Sequence, residues 1–158
     1  MIKWFYVFIM VVAVSLSFSI LSYRYYTNHP INKMYMLAID ISKNELEIID
    51  CYQIIKNDTE NVIDSDQCKL VSKYIATELN IIYESKLYDK NGMSNKNYYA
   101  SALSILPEKK RTFIESNMTN NYYYYATSLY IASRCPDMVK KYMNEDLKHV
   151  MRNGKFDF

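Results

Sequence analysis

Glycine occurs only twice and proline three times in this chain of 158 residues. So few backbone breakers leave little material for the tight turns that an all-β fold requires. Histidine is limited to His29 and His149, and there is no CxxC pair, so a zinc site or a His-based nucleophilic triad lacks its parts. There is also no Gly-rich phosphate loop and no HExxH. A paired-carboxylate glycosidase is the one catalytic class this inventory leaves standing, with Glu78 and Glu84, or Asp64 and Asp66, as its pairs. A solvated surface is the plainer reading of those acids. Neither an enzymatic activity nor a cofactor or metal is expected.

An excess of one charge is missing as well. The formal charge is +2, but Lys3 and Arg24 lie in the leader, and from residue 27 onward 17 basic residues face 17 acidic ones. Such a balance excludes the basic footprint of a nucleic-acid binder. Lys109, Lys110 and Arg111 form a single basic triplet, read as a solvated first helical turn.

What the chain has first is an apolar leader. Trp4 to Leu21 carries no charge, and its 18 residues at about 1.5 Å each approach the roughly 30 Å hydrocarbon core of a bilayer. Aromatic side chains stand at both ends, Trp4, Phe5 and Tyr6 before and Tyr23, Tyr25 and Tyr26 after, as in the interfacial belts of a spanning helix. Membrane contact is therefore expected through residues 4–22. A cleaved signal peptide is the alternative, with Ser17 and Ser19 as the small residues at the cleavage site. Lys3 and the amino terminus oppose Arg24 and Lys33, so charge marks the orientation poorly. Both readings allow residues 27–158 to lie outside the cytoplasm, and a periplasmic, extracellular or lumenal domain is expected, anchored in one case and secreted in the other.

Beyond the leader, apolar residues recur at helical spacing. Ile31, Met34, Tyr35, Ala38, Ile41, Ile48, Tyr52 and Ile55 predict one helix over about 31–56. Asp64 and Gln67 have capping-box spacing ahead of Cys68, Val71, Ile75, Leu79, Ile82 and Lys86, with Asn91-Gly92 as the stop. Ser94 caps a short helix bearing Tyr98, Tyr99, Ala102, Leu103 and Leu106. Pro107 opens the next, whose buried stripe is read as Phe113, Ile114, Met118, Tyr122, Tyr125, Leu129 and Ala132. A last helix runs from Pro136 through Val139, Tyr142, Met143, Leu147, Val150 and Met151 to Asn153-Gly154. The expected fold class is all-α: an N-terminal membrane helix or signal peptide over 1–26, then a four- to five-helix bundle over 27–158.

Cys51 and Cys68 sit at nearly equal distances either side of the polar 57–63 loop. In an antiparallel hairpin such residues face each other, so an oxidising compartment favours a Cys51–Cys68 disulfide. Cys68 with Cys135 is the rival pairing, and three buried thiols the remaining alternative. Tyr122 to Tyr125 are consecutive and cannot all be buried on one helix. With Tyr122 and Tyr125 on the core stripe, Tyr123 and Tyr124 are the expected exposed pair, joined by Tyr98 and Tyr99 in a surface for a protein partner.

The stretch Cys68-Lys-Leu-Val-Ser-Lys-Tyr-Ile-Ala-Thr-Glu-Leu79-Asn80-Ile-Ile-Tyr83 resembles the LprI-type lysozyme-inhibitor domain, in which a cysteine is followed by about a dozen helical residues and Leu-Asn-x-x-Tyr. Cys51 and Cys135 stand where that family has its outer cysteines. The resemblance implies a small exported helical protein that blocks a wall-degrading enzyme. The expected function is thus a non-enzymatic extracytoplasmic binder of the inhibitor or immunity class. A membrane-anchored structural or assembly subunit of an envelope, secretion or surface complex is the alternative.

Overall fold

A computed structural model describes residues 2–57, 61–84, 103 and 106–152. Among them are eight α-helices and one π-helical turn, with no strand. The helices are α1 (Ile2–Asn28), α2 (Pro30–Lys43), α3 (Glu45–Asn57), α4 (Asp66–Glu84), α5 (Glu108–Ile114), α6 (Tyr122–Arg134), α7 (Pro136–Lys140) and α8 (Glu145–Arg152). The π-helical turn, Glu115–Thr119, joins α5 to the start of α6. Seven helices thus follow α1 where four or five are expected, because single polar residues break the long apolar patterns. Asn44 separates α2 from α3, with its side-chain Nδ2 donating to the Asp40 carbonyl at 2.8 Å. That local bond competes with the helical ladder. The last helix is split in the same way: the Asn144 N–H donates to Asn80 Oδ1 at 3.0 Å and its Nδ2 to Glu84 at 2.9 Å.

One hydrophobic core joins α2, α3, α4, α6 and α7. Ala38, Ile41, Ile48, Cys51, Cys68, Val71, Ile131 and Val139 are all completely buried. Val62 is also fully buried although it lies within the 57–63 loop between α3 and α4, so the turn at residues 62–64 plugs the end of the hairpin. The cap of α4 differs from the expected Asp64: Ser65 Oγ accepts the Cys68 N–H at 3.2 Å. Ser65 fits because it stands three residues before that orphan donor, as an N-cap side chain must. The Asn91-Gly92 stop, the helix capped by Ser94 and the Asn153-Gly154 stop fall outside the described residues.

Cys51 and Cys68 are bonded, with Cα atoms 5.0 Å apart. The bond pins α3 to α4 from the middle of the core. Cys135 is a half-buried free thiol at the junction of α6 and α7, so it takes no part in the pairing.

The described side chains of α1 are those of Ile9 to Arg24, and all of them are exposed. The consecutive residues Ile9, Met10, Val11 and Val12 are 46%, 69%, 59% and 40% exposed, so apolar surface points in every direction around the axis. Among the described residues no helix is long and apolar enough to cross a membrane.

Candidate functional site

The feature of the molecular surface with the most evident binding character is aromatic and is built by α3 and α6. Asn121 starts α6 by accepting the Tyr124 N–H on its side-chain oxygen at 3.0 Å. This cap sets the helix phase, and the preceding π-helical turn has already shifted it. The buried positions of α6 are consequently Tyr124, Thr127 and Ile131, instead of the expected Tyr122, Tyr125 and Leu129. Those three, spaced three and four residues apart, form an outward apolar stripe at 63%, 59% and 59% exposure. Tyr123 lies at the edge of that stripe, 36% exposed.

Tyr52 of α3 completes the surface. Its ring meets Tyr122 edge-on at 5.8 Å and Tyr123 at 5.3 Å, while Tyr122 and Tyr123 meet at 5.6 Å. Tyr52 and Tyr122 also share a hydroxyl–hydroxyl hydrogen bond of 3.3 Å. That bond, ahead of desolvation, raises the pKa of Tyr52 above the ordinary phenol value. Edge-to-face contacts of this kind hold the rings in place before any ligand arrives.

The expected site residues are therefore only partly assembled. Tyr123 is on this face. Tyr124, expected beside it, is instead 3% exposed and belongs to the core. Tyr98 and Tyr99 lie outside the described residues. Tyr52 joins the face only through the packing of α3 on α6. Tyr122, Tyr125 and Leu129 are the α6 residues that spacing misses, and the signal that marks them is the Asn120-Asn121 pair. It starts a new helix just before the tyrosines, which breaks the phase carried over from Phe113 and Ile114.

Tyr124 points into the bundle and donates from its hydroxyl to Glu78 Oε2 at 3.1 Å. Glu78 is half-buried overall, and desolvation of its carboxyl raises its pKa, opposed by the Tyr124 hydrogen bond. Tyr124 itself is pushed well above the ordinary phenol value, first by burial and then by the Glu78 charge. A carboxyl whose folded pKa is raised binds its proton more tightly in the folded state. Its contribution to stability is present at acid pH and is lost as pH rises through the folded pKa. Glu78→Gln is accordingly expected to raise the melting temperature at pH 7.5 by a few degrees and to change it little at pH 4. Thermal scans at the two pH values check this, and an equal shift at both would contradict it.

The proposed carboxylate pairs do not converge. Glu84 lines an open groove of about 480 Å³ between α2 and α4, together with Lys33, Asp40, Lys73 and Asn144. Its carboxylate accepts from Lys33 at 2.7 Å and from Asn144 at 2.9 Å. Glu78 is not among the residues lining this groove, and six residues of helix place it on a different side of α4. Asp66 is paired with Lys69 at 3.0 Å on the surface, and Asp64 is exposed beside it. Among the described residues no cluster of three or more His, Cys, Asp or Glu side chains is placed to hold a metal.

No family model, curated protein or solved structure matches the chain.

Proposed function

We propose that the chain is a membrane-anchored, non-enzymatic binding module of the inhibitor or immunity class, which captures a protein partner outside the cytoplasm through the Tyr52–Tyr122–Tyr123–Tyr125–Leu129 face. The observation that carries this reading is the set of interlocked, solvent-facing aromatic rings. Rigid aromatic side chains bury large area at low entropic cost, and a few of them commonly dominate an interface. The resemblance to the LprI-type domain points to a wall-degrading enzyme as the partner class.

The anchor rests on α1. A helix apolar on all sides is stable only when covered by protein or lipid. The hydroxyls of Ser15, Ser17 and Ser19 each donate to the carbonyl four residues earlier at 2.8 Å. Those polar groups are thus satisfied within the helix, as lipid requires. The Cys51–Cys68 bridge supports an oxidising compartment for the remainder. Alkaline carbonate washing of native membranes is expected to leave the chain in the pellet, and release into the wash would remove the anchor from the proposal. Protease added to intact cells is expected to digest the domain; complete protection would reverse its orientation.

Replacing Tyr122 and Tyr125 together by alanine is expected to weaken partner binding by tenfold or more, about 1.4 kcal/mol, with the melting temperature nearly unchanged. Calorimetric titration beside a thermal scan reads both quantities. Unchanged affinity would discard this face. The bare apolar surface of α1 favours a second reading, an assembly subunit whose neighbour in the membrane is a helix of another protein. Affinity capture of the full chain from its native host separates the two. A wall-degrading hydrolase in the eluate supports the inhibitor reading, and envelope-complex subunits without a hydrolase support the second.

A further inference from the structure

We infer that the groove between α2 and α4 binds a short apolar peptide with free termini, its amino group held by Asp40 and its carboxylate by Lys73. The two helices run antiparallel along the groove. Lys33 meets Glu84 at 2.7 Å at one end, and at the other the Tyr74 hydroxyl donates to the Asp40 carbonyl at 3.3 Å. The α2 wall consists of Lys33, Met36, Leu37 and Asp40, whose spacing of three and four residues puts them on a single helical stripe. Leu37, Tyr74 and Ile81 are buried and give the groove an apolar floor. Its volume of about 480 Å³ falls within the range of small-ligand sites, about 300–1,000 Å³.

The two ends differ in chemistry. At the first, Glu84 accepts from Lys33 and from Asn144 Nδ2, while Asn80 Oδ1 accepts the Asn144 N–H at 3.0 Å. These groups satisfy one another. At the second, Asp40 and Lys73 are exposed on facing walls, and among the described residues neither side chain has an ion-pair or hydrogen-bond partner. Lysines of this chain do pair where a carboxylate is in reach: Lys33, Lys69, Lys140 and Lys148 each hold one within 3.0 Å. Tyr74, the neighbour of Lys73, touches the Asp40 backbone, so the two charges stand at one level of the groove. A ligand of single charge would be attracted by one of them and repelled by the other, whereas a zwitterion meets both. The apolar floor beside them fits an aliphatic side chain. Two extended residues span about 7 Å, against about 8–10 Å between the axes of packed helices, so a dipeptide has the length to present its ends to both walls. The groove shares no residue with the aromatic face of α3 and α6, so the inference stands apart from what that face captures.

Calorimetric titration of the full chain in detergent, with Leu-Leu, its N-acetyl form and its C-terminal amide as probes, tests the site. Leu-Leu is expected to bind with a Kd below about 1 mM, and each blocked form about tenfold more weakly. Asp40→Asn is expected to abolish the preference for the free amine over the N-acetyl form while keeping the preference for the free carboxylate. Lys73→Gln is expected to do the reverse. Both positions are exposed, so both variants should melt within about 2 °C of the wild type. The site would be overturned by the absence of saturable Leu-Leu binding up to about 10 mM, the upper end of weak affinity. Equal affinity for free and blocked peptides, or preferences that survive the two substitutions, would overturn it as well.

Discussion

Tyr124→Ala is expected to lower the melting temperature by about 10 to 15 °C. The side chain is 3% exposed and belongs to the core that joins α4 and α6. Truncating a buried aromatic residue typically costs about 3–5 kcal/mol through lost burial and the cavity left behind. The change also removes the hydroxyl that donates to Glu78, which leaves a carboxylate inside the bundle without that partner. In a domain of this size each kcal/mol moves the transition by roughly 3 °C. Tyr123→Ala, one residue away but on the surface, is expected to move it by less than about 2 °C, since exposed substitutions usually stay within about 0.5 kcal/mol. Tyr124→Phe separates the two contributions, retaining the ring and losing only the hydrogen bond, for about 1–2 kcal/mol. Equal effects of the two alanine substitutions would mean that the phase of α6 differs from the one described.

Replacing Cys51 and Cys68 together by alanine is expected to have the next largest effect. The bridge closes a segment with a sequence separation of 17. Removing such a link returns loop-closure entropy to the unfolded chain, worth about 3 kcal/mol in the chain-entropy account. The melting temperature should fall by about 10 °C, and a reducing agent should lower the wild-type transition to a similar value. Mass spectrometry of a non-reduced digest checks the pairing directly. It should return the 51–68 linkage, with Cys135 the only thiol that alkylates. A linkage between Cys68 and Cys135 would contradict the structure.

The disulfide was readable in advance because an antiparallel hairpin maps sequence distance from its turn onto position, and both cysteines stand at comparable distances from one loop. The helical class was readable from spacing for the same reason: burial repeats at the period of the helix. The exact helices were not. Asn44 breaks its helix through a side-chain hydrogen bond to the Asp40 carbonyl, and Asn144 through its backbone N–H to Asn80 and its side chain to Glu84, partners that apolar spacing does not indicate. Val62 reads as part of a polar loop until the turn folds it under the hairpin. The candidate surface was lost to one error of phase. Extending the stripe of Phe113, Ile114 and Met118 into the tyrosines assumes an uninterrupted α-helix, whereas the π-helical turn and the Asn121 cap intervene. Inward and outward positions exchanged, and Tyr124 moved from the supposed interface to the core. Spacing alone places Tyr52 on a buried stripe, and only the packing of α3 on α6 brings it to the aromatic face.

Four identical residues at the head of α6 have a consequence for how this region tolerates insertion and deletion. Gain or loss of one codon among residues 115–121 would rotate the following helix by about 100° per residue. In most helices such a slip drives a polar side chain into the interior and strips the exterior of its character. Here a tyrosine would still enter the core and tyrosines would still face outward near the amino end of the helix, whichever member of the run took each place. Resistance to the slip must then come from farther along, where Thr127 and Ile131 are fully buried and have no such substitutes on either side. The repeated aromatic segment is thus forgiving of frame within the helix, and the carboxyl-terminal half of α6 carries the information that selects one rotation.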